Sequence, residues 1–343
     1  MDVFHHPGHH RHDPAGYISR GTRIPCPEVP ERGDVFLAAV RGAGHQLHQA
    51  GEPEEAPIAA VHDAGYLAFL AEAWDHWSAL PGHGPEIVPN IHPNRNMSAP
   101  PGTIIGRAGV YQADTACPIA SGTWESARQS AQCATEAARR VGGGEVDRAY
   151  ALCRPPGHHA YADMAGGFCF VNNSAVAAQT LLDGGAGRVA IVDVDVHHGN
   201  GTQGIFYSRD DVLTVSLHGD PTTYYPFYAG FGAERGEGAG TGHNLNVPLP
   251  QGTGDDEYLL RLRGALEPLD RFEPDHLVVA LGLDASEHDP LAFLAITTDG
   301  FRRIAEVVGG LGLPTVLVQE GGYLSEVLGQ NLASFLDGFE GAR

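Results

Sequence analysis

The segment Asp193-Val194-Asp195-Val196-His197-His198-Gly199-Asn200-Gly201 closes an apolar, β-branched run, Arg188–Val194. Residues two apart on an extended chain point to the same side, so Asp193, Asp195 and His197 are predicted to share one face at the end of a strand. Groups of this kind converge only around a cation, because the carboxylates otherwise repel one another. A second apolar run, His276–Leu283, ends in Asp284, which reaches the same place if the two runs are neighbouring strands. One histidine and two aspartates make a mononuclear site with room for water, the form that a catalytic metal requires. Zinc is the first choice of ion, and the oxygen-rich ligand set would also take Fe(II) or Co(II).

Two other strand ends carry reactive groups. The run Ala149–Cys153 leads into Arg154-Pro155-Pro156-Gly157-His158-His159-Ala160, where a Pro-Pro-Gly turn would hold two histidines as acid–base groups. The run Pro314–Gln319 leads into Glu320-Gly321-Gly322-Tyr323. Its glycines let the backbone approach closely, and the Tyr323 hydroxyl would serve as a donor to an oxyanion.

These groups need a scaffold that brings separate strand ends together. Runs Ala149–Cys153, Arg188–Val194, Val212–Leu217, His276–Leu283 and Pro314–Gln319 alternate with helical patterns at Trp124–Val141, Ser174–Asp183, Glu257–Leu269 and Asp299–Val308. Continuous apolar strands alternating with helices predict an α/β fold, a mostly parallel multi-stranded sheet with helices on both faces. Ligands then bind at the carboxyl ends of the strands. Residues 1–343 read as a single domain, with a long Pro-, Gly- and Asn-rich loop excursion at about 81–102. The Gly-rich Ala229–Gly242 reads as a loop over the site; it lacks a GxxxxGK[ST] phosphate cradle. The His-rich start (His5, His6, His9, His10, His12) invites a metal reading, but it lacks ordered carboxylate partners and reads as a solvated loop.

Composition narrows the classes. A chain of 343 residues, 42% of them hydrophobic, can bury one large core. Its charge of −21 comes from 42 acidic and 21 basic residues, every one of the latter Arg. Such a field repels nucleic acid and attracts cations. No apolar stretch of membrane-spanning length and no secretory pattern is visible, so a cytoplasmic protein without a membrane partner is expected. The five cysteines form no CxxC pair and read as reduced thiols.

The ordered segments RPPGHHA, GFCFVNN, DVDVHHGNGTQ, VSLHGDP, LGLDASEHDP and EGGY, with Val61-His62-Asp63-Ala64-Gly65-Tyr66 nearer the start, resemble the arginase–deacetylase fold on its histone deacetylase side. The order and spacing are most similar to bacterial acetylpolyamine amidohydrolases. This resemblance implies zinc on Asp195, His197 and Asp284, His159 as general base and acid, and His158 beside it, held by Asp193. It implies that Tyr323 polarises the scissile carbonyl and that His198 lies near the metal strand. Gly167, Phe168 and Tyr225 would line the acyl tunnel, and Asp114 would stand at its rim. A structural K⁺ would take the side chains of Asp193 and Ser216 and the carbonyls of Asp195, His197 and Leu217. Arg32 resembles an arginine of an internal acetate channel.

The implied reaction is hydrolysis of an N-acetyl amide, on a small acetylated amine such as an acetylpolyamine, by a homodimer paired through the excursion. Around Gly102–Pro118 only Asp114 is acidic, with Ile105 and Ala116 where further carboxylates would meet a distal ammonium. Glu86 is a candidate contribution from a second subunit. Acyl-lysine peptides or other small N-acyl amides are therefore the alternative substrates. A two-manganese ureohydrolase would need a further Asp where Gly199 and Asn200 stand. A non-enzymatic module for acetylated ligands would have no use for His159 and Tyr323.

Overall fold

The computed structural model describes residues 1–342. The first half of the chain runs β1 (Asp2–His5), β2 (Gly16–Ser19), β3 (Thr22–Pro25), α1 (Glu31–Gly42), β4 (Gln46–Gln49), α2 (Glu55–Ala59), α3 (Ala64–Ser78), α4 (Ile104–Tyr111), α5 (Thr123–Gly142), β5 (Arg148–Ala151) and α6 (Asn173–Asp183). The second half runs β6 (Val189–Asp193), α7 (Asn200–Phe206), β7 (Val212–Gly219), β8 (Asn244–Leu249), α8 (Asp255–Phe272), β9 (His276–Leu281), α9 (Thr298–Gly309), β10 (Thr315–Gln319) and α10 (Leu328–Gly341).

Eight strands form one sheet in the order β4-β1-β5-β10-β9-β6-β7-β8, and every neighbouring pair is parallel. Strands β2 and β3 make a separate antiparallel hairpin. The runs read as strands from their apolar continuity are the contiguous middle of the sheet, β5-β10-β9-β6-β7. Along β6 the side chains feed two cores alternately. Ala190 and Val192 join a layer that contains residues of α1, α8, α9 and α10, whereas Val189 and Ile191 join one that contains residues of α3, α5 and α6. Burial on both faces explains why these strands are mostly apolar. Asp193 stands in register with Ser216 of β7 and Ala280 of β9, so the end of β6 lies between two other strand ends.

Two expectations are corrected. The His-rich start is not a solvated loop: Asp2–His5 is an inner strand between β4 and β5. Pro7–Arg11 forms a 3-10 turn, and His9 and His12 are buried. The excursion carries no regular element, but it is pinned to its own chain. Ile87 pairs with Ile119, and Glu86 is buried against Arg23 (2.9 Å) and the Ala15 N–H (2.8 Å), so it offers no carboxylate to a rim. Among the described residues no helix is long and apolar enough to cross a membrane, and all five cysteines are free and buried.

Helix α6 is set by one residue. Asn172 accepts the Ala175 N–H (2.9 Å), while its Nδ2 donates to the Ala160 carbonyl (3.0 Å) and to Thr202 Oγ1 (3.1 Å). It thus joins the helix cap to the loop after β5 and to α7. Loss of an Asn cap costs ~0.5–2 kcal/mol, and stranding its buried partners adds to this. Asn172→Ala is expected to lower stability by about 1–3 kcal/mol in urea unfolding; an unchanged midpoint would remove Asn172 as the pin.

Candidate active site

Asp195 and His197 follow β6 and Asp284 follows β9, and one ligand atom from each lies within 4.8 Å of the others. His197 Nδ1 is 3.1 Å from Asp195 Oδ1 and 3.2 Å from Asp284 Oδ2. All three residues are buried. The chain aims the carboxylates through its backbone: the His197 N–H donates to Asp195 Oδ1 (2.9 Å), Gly321 N–H to Asp195 Oδ2 (2.8 Å) and Val196 N–H to Asp284 Oδ1 (3.1 Å). A side chain at position 321 is excluded, because its Cβ would stand 2.1 Å from Asp284 Oδ2.

Asp284 Oδ2 has no hydrogen-bond partner among the described residues, which is costly for a buried carboxylate oxygen. Burial works against a charged His197, yet its hydrogen bond to Asp195 and the nearby Asp284 carboxyl push its pKa up to about 9. Burial and the Asp195 charge raise the Asp284 carboxyl. Two carboxylates that draw positive charge, one oxygen left unpartnered and a facing imidazole together fit a divalent cation.

The two histidines after β5 differ in environment although their rings are only 4.0 Å apart. His158 Nδ1 lies 2.9 Å from Asp193 Oδ2, and Asp193 Oδ1 accepts the Asp195 N–H at 3.0 Å. Burial opposes charge on His158, but Asp195 and Asp193 raise its pKa well above the ordinary value. His159 Nδ1 lies 2.6 Å from Asn200 Oδ1. An amide oxygen can only accept, so Nδ1 carries the proton and Nε2 keeps a lone pair. Burial, then the charges of His158 and His197, hold the His159 pKa well below the ordinary value. One histidine is thereby kept charged and its neighbour neutral.

Sequence reasoning missed two residues here. Asn200, in the glycine-containing run after the metal strand, selects the His159 tautomer. Glu320 is fully buried and accepts from the Gly157 N–H (2.6 Å), the His158 N–H (3.0 Å) and Ser174 Oγ (2.7 Å). Burial pushes its pKa up to about 7. It fastens the histidine turn to the end of β10. A carboxylate opening a Gly-Gly pair at a strand end was the available signal.

Gly167, Phe168 and Tyr225 lie beside these groups. Gly167 has φ +49°, and a Cβ there would come within 2.4 Å of His159 Cδ2. Tyr225 packs edge-on to His159 with centroids 5.0 Å apart, and Phe168 packs edge-on to Tyr323 at 5.9 Å. Tyr17 of the hairpin packs edge-on to Phe168 at 5.2 Å, a contribution the sequence did not disclose. Arg32 is buried; its guanidinium lies 4.8 Å from the Tyr323 ring centre and donates to the Glu320 carbonyl (2.8 Å). The Tyr323 N–H donates to Asp289 Oδ2 (2.8 Å).

Asp114 is committed within the wall: it accepts from Tyr225 Oη (2.6 Å), the Ala116 N–H (2.7 Å) and the Gly167 N–H (3.3 Å). His198 turns away from the three-residue cluster, with Nε2 3.1 Å from Gln203 Oε1 and its ring 4.6 Å from that of His218. Ser216 Oγ lies 2.9 Å from His218 Nδ1, and Leu217 is buried beside it.

Known proteins share this arrangement of sequence and fold. A family model described as the histone deacetylase domain matches residues 26–339. The chain is 47% identical to an acetylpolyamine amidohydrolase of Burkholderia pseudomallei, covering 100% of both chains. It is 44% identical to acetylpolyamine amidohydrolase 1 of Pseudomonas aeruginosa, covering 97% of each. A crystal structure of acetylpolyamine aminohydrolase from Burkholderia pseudomallei superposes with a TM-score of 0.95 at 46% identity, over 99% of this chain and 98% of that one. With the arginase–deacetylase fold and a match of this extent, the chain belongs to the histone deacetylase domain family.

Proposed function

We propose that this protein hydrolyses the N-acetyl amide of a small cationic amine, an acetylated polyamine, to acetate and the free amine at a zinc centre. The observation that carries the reading is the buried Asp195–His197–Asp284 cluster beside a charged and a neutral histidine. The names of the relatives supply the substrate class. A zinc ion on those three residues, or Fe²⁺ or Co²⁺ in its place, would polarise the amide carbonyl and lower the pKa of an attacking water.

The chain's own groups do the rest. His159 Nε2 takes the proton of the attacking water, since Asn200 reserves Nδ1. The same nitrogen then returns a proton to the leaving amine. His158 stays charged against Asp193 and favours the negative charge that develops on the carbonyl oxygen. Burial raises the Tyr323 pKa well above its usual value, so its hydroxyl keeps a proton to donate to that oxygen. Phe168, Tyr225 and Gly167 form a narrow passage for an unbranched acyl chain. A structural K⁺ would lie behind the β6 end on Asp193, Ser216 and the carbonyls of Asp195, His197 and Leu217.

One observation favours a broader substrate range: both Asp114 oxygens are occupied inside the wall, so no free carboxylate at that position meets a distal ammonium. Acyl-lysine peptides or other small amides are the second reading. Assembly as a homodimer is supported by the exposed Ile91 and Met97 on the excursion and the exposed Ile105 that follows it.

Asp284→Ala is expected to abolish both bound metal and turnover, whereas Tyr323→Phe should keep the metal and lose about 10²–10³ in kcat. A metal-replete, active Asp284→Ala protein would sink the site. At low salt, kcat/KM for an N-acetyl diamine should exceed that for a neutral acetamide of equal length, and the gap should close as salt screens the acidic surface over about 8–10 Å. Equal rates at low salt would transfer the assignment to the second reading. An Ile91→Glu, Met97→Glu protein should sediment as a monomer where the native chain sediments as a dimer; a native monomer at micromolar concentration removes the dimer.

A further inference from the structure

The His-rich start brings a second set of ligands together, apart from the site described above. His9 and His10 lie on the 3-10 turn Pro7–Arg11, and Asp34 lies in the first turn of α1. One ligand atom from each falls within 4.8 Å of the other two. His10 Nε2 is 3.1 Å from Asp34 Oδ1, and the two imidazole centroids are 4.1 Å apart.

His9 is the unusual member. It is 5% exposed, and neither of its ring nitrogens has a hydrogen-bond partner among the described residues. A buried imidazole with both nitrogens unsatisfied has lost water and gained nothing, and such a group calls for a missing ligand. Its position depends on Gly33, where a Cβ would stand 2.5 Å from His9 Cε1. Burial pushes its pKa down to about 3, which leaves a neutral ring with a free lone pair. The side chains of His10 and Asp34 are 50% and 51% exposed, so an ion has an entry path from solvent.

We propose that His9, His10 and Asp34 form a second metal site, for a borderline divalent cation such as Zn²⁺. Two imidazoles and one carboxylate suit Zn²⁺, Co²⁺ or Ni²⁺, with water completing a tetrahedron, and disfavour Mg²⁺ and Ca²⁺, which take oxygen ligands. The site also touches the fold's interior. The His9 carbonyl accepts from Arg154, the residue that opens the His158–His159 turn. An ion there braces the 3-10 turn against α1 on the outer side of that turn.

Equilibrium dialysis of the purified holoenzyme against Zn²⁺, with metal counted by mass spectrometry, tests this. Wild type should hold about two zinc ions per chain, and His10→Ala and Asp34→Asn about one, with deacetylation of a simple acetyl amide unchanged in both. These exposed positions leave the buried His9 in place, so folding is not put at risk. Asp284→Ala should still bind the ion at the new site, which separates this assignment from that of the catalytic centre. A wild type that binds one zinc, variants that keep both, or a second equivalent displaced by Mg²⁺ or Ca²⁺ would each overturn the proposal.

Discussion

Buried negative charge at the carboxyl ends of a parallel sheet is the constraint on which this structure rests. Asp193, Asp195, Asp284 and Glu320 are all buried within one neighbourhood. Each is met by backbone N–H groups from a loop that follows a strand: Asp195 serves Asp193, Val196 serves Asp284, His197 and Gly321 serve Asp195, and Gly157 with His158 serves Glu320. A parallel sheet makes this possible, since all its strands deliver their loops to the same edge. Neutral amides orient the carboxylates but do not cancel their charge. That task falls to His158 and, on the proposed function, to a cation on Asp195, His197 and Asp284, and removing one partner of such a buried pair costs about 3–5 kcal/mol.

The middle of the sheet was legible because β5, β6, β7, β9 and β10 are buried on both faces and therefore mostly apolar. The outer strands carry a different signature. In β4, Gln46-Leu47-His48-Gln49 alternates polar and apolar residues over too short a span, and β8, Asn244–Leu249, mixes Asn and Pro with its apolar positions. β1 is inner but only four residues long, and its His5 blends into the histidines that follow. Buried His12 shows why composition misled there: its Nδ1 pairs with Thr123 Oγ1 (2.9 Å), a partner 111 residues away. The metal and acid–base candidates were visible because strand spacing and strand ends dictate their directions. Asn200, Glu320 and Tyr17 were not singled out, because their roles depend on contacts made between distant loops.

On the proposed function, selection at the passage would rest on shape more than on local charge. Asp114 holds Tyr225 and the Gly167 amide, so it fixes the wall that these residues form. Tyr225 in turn packs on His159, so that wall and the histidine share one contact. The overall charge of −21 gathers cations near the surface without distinguishing among them.

The place of β10 in the sheet has a consequence for how the protein is made. This strand, Thr315–Gln319, is the last of the ten in the chain, yet it lies between β5 and β9 in the interior of the sheet. Its end supplies Glu320, the Gly321 amide on Asp195, and Tyr323. A nascent chain therefore exposes an open slot between β5 and β9 until residues 315–319 have been made. Strand edges of that kind invite wrong pairing during the wait. Insertion of β10 closes the slot and brings Glu320, the Gly321 amide and Tyr323 to the Asp195 cluster, so the cluster stays incomplete until this strand pairs.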